Sequence, residues 1–301
     1  MPAGNSFAIA RANASFSASL AIEDLWRGTS QVRFVKRLRA EKEIEKLASS
    51  LGALRSGIFV RNGLRAGLSA DPELFPAAIA ALSAQLPRLP AANRPSWPSA
   101  PPLEAPSRHE AWSISAQVGY AAAACPASRF GERDFAATSV LMHHLTRGAF
   151  WDELRVRRGA YGASAWLESL EGVACFSTYR DPSPANSIGW FREALLASAR
   201  GEGMESAMES VIGVSGRDLK PLLPEERSTV DFRREIFGIT DELRQAKRDG
   251  MLTCTRIDLE LAAGHLAASM NELRSVLISG EKDIQSTLGL RPDTRIMAPP
   301  L

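Results

Sequence analysis

The sequence predicts an α+β fold, a sheet with helices packed on one face, and three observations predict it. Residues 161–180 read as a β-hairpin, residues 185–271 read as a helical block, and an apolar strand over Ser275–Ser279 follows that block. Strands and helices are thus partly segregated along the chain, which favours α+β over a parallel doubly wound sheet.

The elements follow in order. Residues 5–48 read as helices, with small and apolar residues from Phe7 to Leu25 and a break at Gly28. Val32, Val35 and Leu38 recur at spacing three as one apolar stripe, while Arg33, Lys36, Arg37 and Arg39 fall elsewhere, on a solvated helix face. Glu41 and Glu45 with Lys42 and Lys46 mark more solvated helix surface. Gly57 to Leu68 reads as a short extended segment. Asp71-Pro72-Glu73 opens a helix that runs to about Leu86, because Asp caps free amides and Pro in the first turn loses no hydrogen bond. Residues 87–108 carry Pro87, Pro90, Pro95, Pro98, Pro101, Pro102 and Pro106, and a segment that lacks amide donors at this density reads as an extended linker.

Beyond the linker, Trp112, Ile114, Ala116 and Val118 alternate as in a half-buried strand. Arg133 to Thr146 reads as a helix with Phe135, Val140, Leu141 and Leu145 apolar, and a short helix covers about Phe150 to Val156. Gly159 and Gly162 bracket a turn into a strand from Tyr161 to Glu168, and Val173 to Arg180 is the return strand. Thr240 and Thr255 read as helix N-caps, with Asp241 and Glu242 after the first and Asp258 three residues after the second. Ile257, Leu261 and Ala268 share one helical face, and Gly280 opens a last helix. The division expected is residues 1–86, mostly helical and incomplete as a domain, a linker at 87–108, and a complete α+β domain at 109–301.

Composition narrows the function classes. The chain has 301 residues, 36 Lys+Arg against 34 Asp+Glu and a net charge of +2, with 45% hydrophobic and 23% charged residues. That is globular composition, and a charge near zero argues against a nucleic-acid partner. No apolar run reaches the roughly 18 residues of a membrane span. Cys125, Cys175 and Cys254 form no C-x-x-C pair, so a reducing compartment is the default, and without a secretory signal the expected location is cytoplasmic. Asn13-Ala14-Ser15 matches a glycosylation sequon by chance in that setting. His109, His143, His144 and His265 are the whole histidine supply, and none lies in H-E-x-x-H or H-x-x-E-H.

Few residues invite chemistry. Arg155 at a helix end and Tyr161 at a strand start stand six residues apart, where both can face one cleft. The guanidinium offers a planar fork of donors to a carbonyl or carboxylate, and a phenol can donate to an oxyanion. The plainer reading is a surface Arg beside a half-buried strand-edge Tyr. Tyr179-Arg180-Asp181 reads as a structural clasp, with Arg180 pairing an acid and Asp181 capping a turn, or as a lining for bound peptide. Adjacent His143 and His144 point in different directions and make a poor metal site, His265 reads as helix packing, and Cys175, alternating with Phe176, reads as core.

Two stretches then carry a family resemblance. Leu154-Arg155-Val156 with Arg158-Gly159-Ala160-Tyr161-Gly162, and Ser177-Thr178-Tyr179-Arg180-Asp181-Pro182, resemble the C-terminal domain of the pitrilysin/insulinase-type zinc metallopeptidases, in the presequence protease and falcilysin branch. Trp26-Arg27-Gly28-Thr29-Ser30-Gln31-Val32-Arg33-Phe34 resembles a further stretch, and Ser275 to Gly280 fits the last strand. The resemblance implies four homologous α+β domains in two halves closing around a peptide, with zinc and H-x-x-E-H in the first domain. It implies that Arg155 and Tyr161 complete the site as donors to the scissile peptide, with Tyr179 and Arg180 as further substrate-binding candidates. This chain would then be the end of the third domain, the linker and the whole fourth domain, with no metal ligands of its own. Its partners would be the N-terminal catalytic half and unstructured peptides, and the zinc would be the parent enzyme's cofactor. The alternative is a stand-alone non-catalytic subunit or peptide-binding scaffold of the same fold, working with a separate catalytic chain.

Overall fold

The computed structural model describes residues 4–41, 44–93 and 106–297. Lys42 and four of the linker prolines, Pro95, Pro98, Pro101 and Pro102, lie outside the described residues. The chain opens with helices α1 (Gly4–Asn13), α2 (Ala18–Arg27), α3 (Thr29–Glu41), α4 (Ile44–Ile58) and α5 (Phe75–Gln85). Strands β1 (His109–Ser113) and β2 (Gly119–Pro126), helix α6 (Phe135–Arg147), a π-helical segment (Phe150–Arg157) and the hairpin β3 (Gly162–Glu168) and β4 (Val173–Asp181) follow. Helices α7 (Pro184–Ala199), α8 (Glu209–Asp218), α9 (Pro224–Phe237), α10 (Asp241–Thr253) and α11 (Arg256–Ser269) lead to β5 (Arg274–Ser279), α12 (Glu281–Leu290) and β6 (Arg295–Met297).

Contacts divide the described residues into one unit drawn from 1–34, 104–219 and 245–301 and another drawn from 35–103 and 220–244. By contacts the first helices share a unit with the sheet, and α9 shares one with α4 and α5. Chain composition marks where backbone cannot be regular, whereas units are set by where apolar faces meet.

The larger unit holds a mixed six-stranded sheet in the order β3-β4-β2-β5-β1-β6. β1 runs parallel to β5 and β6, and the remaining neighbours are antiparallel. The α+β class holds. Ala121, Ala123 and Cys125 of β2, Phe176 of β4 and Leu277 of β5 face Val140, Leu141 and Leu145 of α6, Phe191 and Leu195 of α7, and Leu259 and Leu266 of α11. The intervening residues Tyr120, Ala122, Ala124, Cys175 and Ile278 face Ala8 and Ala12 of α1 and Leu20 of α2, so helices also cover part of the second face.

That second layer explains a strand the sequence reading lacks. The alanine run of β2 favours helix locally and shows no apolar–polar alternation, because both of its faces are buried. The alternation read over Trp112–Val118 instead spans the end of β1 and the loop after it. β6 was also unread; three residues at a sheet edge carry almost no periodic signal.

Two further expectations are corrected. Residues 57–68 form no strand: Phe59 donates to Arg55 O at 3.0 Å, continuing the α4 turn, and irregular backbone follows. The helix expected at Asp71 begins at Phe75, because Asp71 O accepts the amides of Leu74 and Phe75 at 2.9 and 3.0 Å in a preceding turn and Pro76 sits in the first turn of α5. On α11, Ile257, Leu261 and Ala268 do share one face, and it is the exposed one, whereas Leu259, Ala262, Ala263 and Leu266 are buried. The Thr255 cap, with its reciprocal Asp258 bond, and the Thr240 cap both form as expected.

Burial at the edge of this core sets a pH dependence. His109 is buried, its Nδ1 lies 2.7 Å from Ser275 Oγ, and burial pushes its pKa down to about 4 from 6.5. The unfolded chain therefore binds the extra proton between pH 6.5 and about 4, so stability is full above that window and falls as pH drops through it. Urea unfolding should show a loss of about 3 kcal/mol across the window, partly abolished in His109→Gln; a flat profile would refute it.

Candidate functional site

Arg155 and Tyr161 are brought to one end of the β3–β4 hairpin by a short and tightly specified stretch of chain. The π-helical segment anchors on Phe150 and Leu154, both about 1% exposed, and Phe150 packs on Phe176 and Phe191 at 6.2 and 5.4 Å. Gly159 closes the segment with φ +80°, and its amide donates to Arg155 O at 3.1 Å. The Ala160 amide donates to Leu154 O at 3.0 Å, and the chain enters β3 with the Tyr161 amide reaching Arg180 O at 3.4 Å.

A Cβ on Gly159 would meet only Pro182 Cγ at 3.6 Å, so space is not the constraint there. The left-handed backbone is, and it costs an L side chain roughly 1–2 kcal/mol. Gly159→Ala should lower stability by about that amount in urea unfolding; an unchanged midpoint would show that the turn is not held in this form.

The two side chains meet over aromatic faces. Arg155 Cζ stands 4.0 Å from the Trp151 ring centroid and 5.9 Å from that of Tyr161. Tyr161 packs edge-on against Tyr179 at 6.0 Å, and Tyr179 in turn meets Tyr120 at 5.6 Å. Glu153, the nearby acid, is taken by Arg157 at 3.1 Å and Arg158 at 2.8 Å. Among the described residues Arg155 has no acidic partner and the Tyr161 hydroxyl no hydrogen bond, and Tyr161 is 66% exposed. The result is an exposed guanidinium over an aromatic face, beside a phenol able to donate.

Tyr179 and Arg180 border this pair. Arg180 has φ +47°, an uncommon state for a residue with a side chain, and its Cζ lies 5.5 Å from the Tyr179 ring. No acid pairs Arg180 among the described residues, unlike the clasp reading, whereas Asp181 does cap: Ser183 N and Ser187 Oγ donate to it at 2.8 and 2.6 Å. Trp151 was missed from the sequence although the signal exists, an aromatic residue four positions before Arg155. The edge strand beside the pair is closed in its middle, where Thr146 Oγ1 accepts the Ala165 amide at 2.8 Å, so another strand cannot pair through that amide.

The remaining candidates resolve into structure. His144 Nε2 meets Gly203 O at 2.9 Å while His143 abuts Gly213, so the adjacent rings serve different elements. His265 is exposed and lies 3.6 Å from Asp134, which corrects the packing role expected for it. Cys175 is buried, bonds Asn13 Oδ1 at 3.3 Å, and has its thiol pKa pushed up by burial; Cys125 is pushed up to about 12 by the same cause. That contact also buries the side chain of the chance sequon. Among the described residues no three His, Cys, Asp or Glu side chains gather around a point where one metal ion would sit, so the residues present do not fit a zinc site. No described helix is long and apolar enough to cross a membrane.

Comparison with known proteins follows the same lines. A family model described as the PreP C-terminal domain matches residues 109–281. Presequence protease 1, chloroplastic/mitochondrial, of Arabidopsis thaliana is 26% identical over 290 residues, which cover 94% of this chain and 26% of that protein. The mitochondrial presequence protease of Emericella nidulans is 30% identical over 289 residues, 93% of this chain and 27% of that one. This chain thus spans about a quarter of the length of these curated relatives. A protease from Helicobacter pylori superposes with a TM-score of 0.52 at 15% identity, over 69% of this chain and 53% of that chain, a likeness of fold.

Proposed function

This chain belongs to the PreP C-terminal domain family, and on that premise we propose that it is the C-terminal, non-zinc-binding portion of a metalloendopeptidase that degrades unstructured peptides. Its role is to bind the peptide and complete the active site. The observation that carries this is the pairing of Arg155, stacked on Trp151 with no acidic partner among the described residues, with the exposed Tyr161 hydroxyl.

In this reading Arg155 grips peptide carbonyls with its N–H fork, and Tyr161 donates to the oxygen on which negative charge develops. Both donors are preorganised by the Gly159 turn and the aromatic row, so they pay little reorganisation when the charge appears. Tyr179 and Arg180 extend the same surface and contact substrate beyond the scissile bond. The zinc belongs to the other half of the enzyme, and nothing attributed to this chain runs through it. That half is the implied partner, either on the same polypeptide or as a separate chain.

The test is reconstitution. This chain alone should not hydrolyse an unstructured fluorogenic peptide, and activity should appear when it is joined to, or mixed with, the zinc-bearing half. Hydrolysis by this chain alone, or full activity of the other half without it, would overturn the proposal. Activity on mixing separately made chains, without a peptide link, would favour the separate-subunit arrangement.

A further inference from the structure

A cleft away from the Arg155–Tyr161 pair carries an excess of positive charge that the proposed function leaves unused. It measures about 240 Å³, lies over the start of β1 and β5, and is lined by Arg108, His109, Arg192, Glu193 and Arg291 together with apolar side chains. Three guanidinium groups thus line the cleft with Glu193, and Asp293 stands beside it near His109 and Arg291, which leaves a positive excess. Arg108 is oriented by the carbonyls of Leu273 and Asn271, at 3.2 Å for the first. Arg192 and Arg291 make no ion pair and no side-chain hydrogen bond among the described residues.

A second cleft of about 290 Å³ adjoins it, sharing Gly189, Glu193 and Arg291, and presents Trp190 and Leu290. Trp190 is held in place by Arg158, whose Cζ lies 3.8 Å from the ring centroid. The continuous groove is therefore cationic at one end and apolar at the other. From this we infer that the groove binds a small phosphate ester, its phosphate between Arg108, Arg192 and Arg291 and its organic group against Trp190 and Leu290. Guanidinium forks match the oxygen spacing of phosphate, and a partly desolvated cleft strengthens the attraction.

The surrounding chemistry agrees. Burial lowers the Arg291 pKa from its ordinary value, with Asp293 opposing, and an anionic ligand would offset that desolvation by its attraction. His109 is neutral at pH 7, since burial pushes its pKa down to about 4, and its Nε2 lies 3.8 Å from Asp293. A neutral imidazole adds no charge to the cleft and leaves the phosphate to the three arginines.

Isothermal titration of the whole chain with phenyl phosphate, inorganic phosphate and acetate at low salt tests the inference. Phenyl phosphate should bind saturably with Kd below about 1 mM, about tenfold tighter than inorganic phosphate because its ring is buried, and acetate weakest. Arg291→Gln should weaken phenyl phosphate at least about tenfold. Arg192→Gln, at an exposed position that leaves the fold intact, should weaken it severalfold and flatten the salt dependence. Absence of saturable binding, equal binding of acetate, or wild-type affinity in Arg192→Gln would each overturn the proposal. Inorganic phosphate binding as tightly as phenyl phosphate would overturn the assignment of Trp190 and Leu290.

Discussion

Tyr161→Phe, placed in the complete enzyme, is expected to lower kcat for peptide hydrolysis by roughly 10²–10³-fold, the effect of removing one preorganised donor to a developing oxyanion. The substitution isolates the hydroxyl. The ring contacts to Tyr179 at 6.0 Å and to Arg155 at 5.9 Å survive in Phe, and the hydroxyl has no internal partner among the described residues to lose. Thermal stability should therefore stay unchanged, which separates a chemical role from a structural one. A companion Arg155→Lys keeps the charge but removes the planar fork, and should chiefly raise KM. Turnover of Tyr161→Phe equal to wild type would remove the phenol from the proposed site.

The second large effect concerns the fold. Glu110 on β1 is fully buried and accepts two bonds from Arg11 of α1, at 2.8 and 2.9 Å, and one from the Ser107 amide at 3.0 Å. Arg11 also reaches Asp24 of α2 at 3.1 Å, so one cation ties two helices to the sheet. Gly28 belongs to the same device, because a Cβ there would collide with Asp24 Oδ1. Removing one partner of such a pair strands a buried charge, which typically costs 3–5 kcal/mol. Glu110→Ala should lose about that much in urea unfolding, a large part of a usual total of about 5–15 kcal/mol.

The converse variant has a pH signature. Burial raises the Asp24 pKa above its ordinary value, and Arg11 opposes that rise. In Arg11→Met the opposition is gone, so the native state binds the proton more readily than the unfolded chain. Stability of that variant should rise as pH falls toward 4 and drop again as pH rises through the folded-state pKa. A Glu110→Ala loss below about 1 kcal/mol would show that the triad is dispensable.

The site was more legible than the sheet that carries it. Gly159, the hairpin alternation and the six-residue step from Arg155 to Tyr161 are local features, and the structure places both side chains at the hairpin end. Thr255 with Asp258 was legible for the same reason, since a capping box is complete within four residues. Ile257 and Leu261 share a face as their spacing indicates, but spacing does not say which face meets the core, and theirs is exposed. The helix-prone alanine run of β2 misled because strand formation there depends on two layers the run cannot encode.

By itself the sequence determined the α+β class, the hairpin, the caps and the nearness of Arg155 to Tyr161, because each depends on residues close along the chain. Only the tertiary structure decided that α1 and α2 cover part of the second face of the sheet and that Arg108, Arg192 and Arg291 share one cleft. These depend on contacts between residues up to about a hundred or more positions apart, such as Arg11 with Glu110 and His109 with Ser275, and burial, charge pairing and cavity shape arise only when distant segments pack together.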